Sequence, residues 1–265
     1  MNHTRNEIIL SVEGVGITYD RPILRDVSFQ INNLSRPGVH QGQVVSLIGR
    51  SGIGKTQLFK IIAGMLKPTT GTVRIGVDLH PVQAGEVGIV PQNYLLFRHR
   101  TVMQNLAIAM ERSDTKHTEA QQKEIIKQHA EHFNLSEHLA KYPAQLSGGQ
   151  RQRVSILQQV LTGTKTILFD EPFSGLDVLM IDKVIDLLVK VSLLDEHNTL
   201  IIVSHDVENA MAISDTVFIL AAQEGKPGAT MTETIDLVGM GLAWEKDIKQ
   251  NARFRELTEQ IKHKI

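Results

Sequence analysis

The sequence predicts an α/β fold: a mixed sheet, parallel at its centre, with ligand-binding loops at its strand ends. Three observations predict it. The apolar run Val44-Val45-Ser46-Leu47-Ile48 leads into Gly49-Arg50-Ser51-Gly52-Ile53-Gly54-Lys55-Thr56, and Leu58, Phe59, Ile61, Ile62 and Met65 follow at helical spacing. Two more buried-strand patterns, Thr166 to Phe169 and Leu200 to Val203, end in Asp170-Glu171-Pro172 and Ser204-His205-Asp206. Between the strands, Thr101 to His138 turns helical, with Val102, Leu106, Ala109 and Met110 on one face and Ile125, Ile126, Ala130 and Phe133 on another.

The glycine-rich stretch has the form G-x-x-x-x-G-K-[ST], and the strand before it and the helix after it are the context a phosphate-binding loop requires. Glycines let the backbone wrap an anion with its N–H groups inward, and the following helix adds the positive end of its dipole. Lys55 would reach the β- and γ-phosphates of a nucleotide, and the Thr56 hydroxyl would ligate Mg²⁺. A glycine-rich turn without a ligand is the bland alternative, and the flanking strand and helix argue against it.

Taken in order, Ile8 to Val12, Gly16 to Tyr19 and Val27 to Ile31 read as short strands. With Val44 to Ile48 and Gly71 to Gly76 they form a partly antiparallel region around the loop. Tyr19 can stack on a base or pack on its strand neighbours. Asn32 to Gln43, with Pro37 and Gly38, reads as a polar surface loop without chemistry. Val87 to Val90 is a short strand running into Pro91-Gln92, where the glutamine either points into a site or is solvated. His117, His129, His132 and His138 show no metal-ligand spacing and read as a solvated set. In Leu146-Ser147-Gly148-Gly149-Gln150, Ser147 is placed to cap the helix Arg151 to Leu161, and the glycines make a second anion-seeking backbone. Asp170 would hold Mg²⁺ and Glu171 could polarise a water. His205 lies in the same layer, as a donor and acceptor near neutral pH or as a capping or core histidine. Thr216 to Ala221 reads as a last core strand, Gln223 to Gly228 as a Gly/Pro linker, and Trp244 to Ile265 as a charged amphipathic helix.

Composition narrows the function classes. The chain has 265 residues, a net charge of −1 and no cysteine. No basic field argues for nucleic acid, disulfides and cysteine-ligated metals are excluded, and no apolar run approaches the about 20 residues needed to span a bilayer. Met1 to Glu7 lacks the apolar core of a signal peptide. The expectation is a cytoplasmic protein that reaches a membrane only through a partner.

The ordered set of phosphate loop, Gln92, Leu146 to Gln150, Asp170-Glu171, Ser174-Gly175-Leu176-Asp177 and His205 closely resembles the ATP-binding subunits of ABC transporters, over about Val12 to Leu220. The resemblance implies a P-loop NTPase (RecA-like) core with an antiparallel β subdomain and a helical subdomain inserted at about 93–160, the whole spanning 1–222, and a linker with a C-terminal helical extension over 223–265. It implies ATP and Mg²⁺ as ligands, with Gly49 to Gln57 around the phosphates. Tyr19 would lie on adenine and His205 at the γ-phosphate. Gln92 would sense Mg²⁺ and the membrane partner. Ser147 and Gly149, with Gly148 and Gln150 beside them, would touch ATP held by an opposite subunit, and Asp177 would lie across that interface. Partners implied are a second copy or similar ATPase subunit, transmembrane permease subunits and a substrate-binding protein, on the cytoplasmic face of a membrane.

The chain departs from the family pattern at Gln57, where many members carry Thr or Ser, and in the length of the 32–43 loop. Gly241-Leu242-Ala243-Trp244 and the helix after it look somewhat like the nitrate, sulfonate and taurine importer group. Two other classes compete. A soluble ABC ATPase acting on ribosomes or DNA usually carries two cassettes or a long coiled coil, but this chain has one phosphate loop and no sustained heptads. A metabolic P-loop kinase leaves the second glycine motif and His205 without a task.

Overall fold

The computed structural model describes residues 3–36, 40–113, 115–245 and 247–265. In chain order the elements are β1 (Thr4–Thr18), β2 (Pro22–Ser35), β3 (Gln43–Ile48), α1 (Lys55–Ile62), β4 (Thr70–Ile75), β5 (His80–Pro81), β6 (Gly88–Val90), α2 (Val102–Met110), α3 (Glu119–His132), α4 (Gly148–Leu161), β7 (Thr166–Asp170), α5 (Val178–Ser192), β8 (Thr199–Ser204), α6 (Val207–Ala212), β9 (Thr216–Gln223), β10 (Lys226–Asp236) and α7 (Ala252–Lys264). The strands make one sheet in the order β5-β4-β1-β2-β10-β9-β3-β8-β7-β6.

From β9 to β6 every pairing is parallel. These strands are continuous apolar runs because both faces are covered. In β3 alternation divides the core: Val45 and Leu47 pack with Leu58, Phe59, Ile61 and Ile62 of α1, while Val44 and Ile48 pack into the cluster built by the other helices. The remaining strands pair antiparallel with their neighbours, except for a single parallel contact between Ala229 of β10 and Leu24 of β2. The predicted α/β class, with a parallel nucleotide-binding core and an antiparallel portion, is the fold observed.

Several local expectations change. Ile8–Val12 and Gly16–Tyr19 are one strand, β1, whose register shifts between Val12 and Val15 and between Glu13 and Gly16. Bulges absorb the residues between them without ending the ladder. Val27–Ile31 is the middle of the longer β2. Gln223 to Gly228 is not a linker: Glu224-Gly225 is the turn of the β9–β10 hairpin, and Lys226 pairs with Gln223. Gly225, at φ 71°, supplies the left-handed residue of this turn. Thr216–Ala221 is thus not the last strand. The C-terminal helix begins at Ala252 rather than Trp244, capped by Asn251, whose Oδ1 accepts from the N–H groups of Arg253 and Phe254. Phe254 and Ile261 are buried in the helical core cluster. Of the histidines read as solvated, His117, His129 and His138 are half-buried and His132 is exposed.

The 32–43 stretch is also more than a surface loop. Pro37 and Gly38 lie outside the described residues, but β2 runs on to Ser35 and the next residue, Arg36, is buried. Its guanidinium pairs with the fully buried Asp215. Asp215 also accepts from the N–H of Val44 at 2.8 Å and from Trp244 Nε1 at 2.7 Å. Burial pushes the Asp215 carboxyl upward, and the Arg36 charge opposes that shift. One carboxylate therefore joins the end of β2, the start of β3 and the C-terminal segment.

Candidate functional site

Four parallel strands deliver the site. β3, β8, β7 and β6 are adjacent, and their carboxyl ends carry the glycine loop, Ser204-His205, Asp170-Glu171 and Pro91-Gln92. Open α/β sheets bind ligands at this edge, where strand ends and helix starts leave a crevice. A cleft of about 510 Å³ opens there. Tyr19, Ser51, Gly52, Gly54, Lys55, Thr56, Gln57, Gln92, Glu171 and His205, all named from sequence, line it together with Ile23 and Ser174.

The loop has the expected backbone. Gly54 caps α1 at φ 114°, a conformation that side-chain-bearing residues avoid. A Cβ at Gly49 would lie 2.5 Å from the carbonyl oxygen of Leu220, so only glycine fits against β9. Arg50 accepts the N–H of Ile53 at 3.4 Å. Lys55 curls back into the loop, and its Nζ donates to the carbonyls of Gly49 at 2.8 Å and Arg50 at 3.3 Å. It also pairs with Glu171 Oε1 at 3.2 Å.

Glu171 has a left-handed backbone, φ 50°, uncommon for a residue with a side chain. Its N–H is held by the carbonyl of Val203 at 2.8 Å. Glu171 Oε2 accepts from Ser204 Oγ at 3.2 Å, from the His205 N–H at 3.2 Å and from His205 Nδ1 at 2.8 Å. A carboxylate can only accept, so Nδ1 carries the proton and Nε2 is left for the cleft. Asp170, one residue earlier, is half-buried. Burial raises its carboxyl above the ordinary range, the Glu171 charge adds to this, and Lys55 and Lys60 pull it down.

Gln92 Nε2 donates to Ser174 Oγ at 3.2 Å, tying the end of β6 to the loop after Glu171. Tyr19 is more than half exposed and its hydroxyl donates to Gln57 Oε1 at 3.1 Å. The pairing gives Gln57 a role that a one-residue comparison does not reveal. Gln152 Nε2 donates to the carbonyl of Pro172, which couples α4 to the same loop. Ile23, Ser204 and Gln152 were not picked out from sequence as site residues, and Ser174 was named only within the Ser174-to-Asp177 set. The contacts of Ser174, Ser204 and Gln152 reach residues far along the chain, which no local pattern signals.

The second glycine motif stays apart from this cleft. Ser147 caps α4 and forms a capping box with Gln150, with Gly148 in the first turn. Ser147 and Gly149 line a separate cavity of about 420 Å³, bounded by α3, α4 and α5. Asp177 caps α5, its Oδ1 accepting from the N–H of Met180 at 2.9 Å.

The residues present fit Mg²⁺ as an ion shared with a phosphate ligand. Among the described residues no three His, Cys, Asp or Glu side chains form a metal cage. A hydroxyl, a carboxylate and an amide oxygen from Thr56, Asp170 and Gln92 suit a hard cation that keeps waters and phosphate oxygens.

Fold and cleft together define a nucleotide-binding protein of the phosphate-loop class. The chain belongs to the ABC transporter family, whose model matches residues 31–174. It is 33% identical over 233 residues to the sulfate/thiosulfate import ATP-binding protein CysA 1 of Agrobacterium fabrum, covering 86% of this chain and 65% of that one. It is 37% identical over 205 residues to the spermidine/putrescine import ATP-binding protein PotA of Protochlamydia amoebophila, covering 76% and 52%. It is 35% identical over 187 residues to the bicarbonate transport ATP-binding protein CmpC of Synechococcus elongatus, covering 71% and 28%. The chain thus spans from about a quarter to about two thirds of these relatives' length. Among solved structures it shares the fold of cbiO1 from Clostridium perfringens, part of the ABC transporter complex cbiONQ, with a TM-score of 0.73, 24% identity, and 97% and 99% of the two chains covered.

Proposed function

We propose that this chain is an ATP-hydrolysing subunit that powers a separate membrane permease, as part of an importer. The named relatives are import or transport ATP-binding proteins. No helix among the described residues is long and apolar enough to cross a membrane. On this reading it sits on the cytoplasmic face of the membrane through permease subunits, with a substrate-binding protein as a further component.

In the proposed site the loop from Gly49 to Gln57 cradles the phosphates of ATP, and Tyr19 stacks on its adenine. Thr56, Asp170 and Gln92 would hold Mg²⁺, which would supply positive charge to the phosphate chain. Those phosphates take Lys55 away from Glu171. The freed carboxylate accepts a proton from the attacking water, and His205, held by Glu171 through Nδ1, presents Nε2 to the γ-phosphate.

The observation that carries the reading is the separation of the two anion-seeking motifs, Lys55 in one cleft and Ser147 and Gly149 beside another. A head-to-tail pair of chains brings Ser147, Gly148, Gly149 and Gln150 of one copy over the cleft of the other, with Asp177 at the joint. ATP then stabilises the pair by mass action. Light scattering of Glu171→Gln with Mg²⁺-ATP is expected to show dimers, and Glu171→Gln/Ser147→Arg only monomers. Dimers indifferent to Ser147→Arg contradict a shared site.

A further inference from the structure

Gln150 of the second glycine motif has both ends of its amide committed. Its Oε1 accepts the N–H of Ser147 at 2.8 Å, while the Gln150 N–H donates to Ser147 Oγ at 3.3 Å. This reciprocal pair is the capping box that starts α4. The orientation of the amide is fixed by that contact, because only the oxygen can accept. The Gln150 NH₂ is therefore the group facing His138 Nε2, at 2.9 Å. An NH₂ can only donate, so Nε2 must be the bare ring nitrogen and Nδ1 must carry the hydrogen. His138 Nδ1 is buried and has no partner among the described residues.

We infer that His138, in its neutral Nδ1–H form, is a positioning residue that holds Gln150 and, through it, the Ser147 turn. A donor in place of Nε2 would meet an NH₂ that is already donating. Turning the amide over to accept from it would offer NH₂ where the Ser147 N–H needs an acceptor, so a donor at that position opposes the intact capping box. The functional half of the inference rests on the reading above, in which Ser147 meets ATP of the opposite chain.

The test uses the full chain and two readouts. The first needs no nucleotide: nitrogen NMR of the His138 ring at pH 8, and hydrogen exchange of the Ser147 amide. A Nδ1–H tautomer is expected, with slow Ser147 exchange in the wild type and in His138→Gln, whose side-chain oxygen can accept at every pH. Fast exchange is expected in His138→Lys, a permanent donor of similar reach. The second is the ATP-driven dimer of Glu171→Gln at pH 8. With His138→Gln it should match the parent, and with His138→Lys it should be about tenfold weaker, the scale of one lost hydrogen bond. A Nε2–H tautomer, or Ser147 exchange equal in the Lys and Gln variants, overturns the inference. Correct tautomer and exchange without any dimer overturn the shared-site reading and leave the positioning role of His138 standing.

Discussion

Lys55 Nζ lies 3.2 Å from Glu171 Oε1, an ion pair between the phosphate loop and the residue proposed to activate water. Both side chains are largely buried, so each depends on the other for its charge partner in the absence of phosphate. Substitutions at the two positions separate their roles. Glu171→Gln keeps the hydrogen bonds to Ser204 and His205 within reach and releases Lys55. Nucleotide binding should persist while hydrolysis falls about 10²–10⁴-fold, the loss typical of a positioned base. Lys55→Ala removes a cation from the phosphates and leaves Glu171 without its ion-pair partner, so binding itself should weaken. Titration with a fluorescent ATP analogue and a phosphate-release assay read the two effects. Wild-type turnover in Glu171→Gln would sink the assignment.

On the proposed function, the segment after Gln92 would give a permease its docking surface. Leu95 is 72% exposed and Phe97 48% exposed, whereas Tyr94 and Leu96 pack against the helical core. The loop is rigid because buried Asn105 accepts the Phe97 N–H and donates to the carbonyls of Phe97, Arg100 and Thr101. Leu95→Asp and Phe97→Asp should leave the ATPase of the isolated chain near wild type and abolish co-purification with the membrane subunit. Leu96→Asp should instead lower stability, since it buries a charge. Transport that survives both surface changes places the docking face elsewhere.

The buried carboxylate of Asp215 makes a stability prediction. Arg36→Met strands that charge, and the expected loss is about 3–5 kcal/mol, against about 1–3 kcal/mol for Trp244→Phe, which removes one hydrogen bond. The double change Arg36→Met/Asp215→Leu should recover only part of the first loss: no charge is left buried, but the Val44 N–H and Trp244 Nε1 lose their acceptor. Urea unfolding midpoints decide. Equal losses in Arg36→Met with and without Asp215→Leu would show that the pairing is not the cause.

His80 gives a pH dependence with a defined sign. Its Nδ1 meets Asp78 at 2.9 Å and its Nε2 meets Glu86 at 2.8 Å, and these hydrogen bonds hold the imidazole above the ordinary histidine value. A raised folded value means the stabilisation is complete below the unfolded value of about 6.5 and disappears as pH rises through the folded value. The unfolding midpoint of wild type minus that of His80→Gln should therefore be larger at pH 6 than at pH 9. The same difference at both pH values would show that the two carboxylates do not sense the proton.

Residues in local patterns were legible from the sequence alone. The glycine loop, its strand and its helix form a contiguous unit whose backbone conformation is dictated by the residues in it, so Gly49 to Thr56 and the cap at Ser147 could be named directly. The acids after Thr166–Phe169 and His205 after Leu200–Val203 could be placed because a parallel strand presents its carboxyl end to the crevice. Strand limits were less legible. Glu13-Gly14 breaks the apolar pattern as a loop would, yet a bulge carries the strand through it, and Glu224-Gly225 looks the same in a linker as in a hairpin.

Only the tertiary structure decided which distant side chains meet. Glu171 is tied at once to Lys55, Ser204 and His205, Gln92 to Ser174, Tyr19 to Gln57, and His138 to Gln150. Arg36 reads as a loop residue until β2, β3 and the Trp244 turn close around Asp215. The sequence determined that this protein has a phosphate loop and a second glycine motif, because backbone conformation is a local property. Which polar groups are buried, and which partner satisfies each of them, depends on strands and helices far apart in the chain, and that was settled only by their packing.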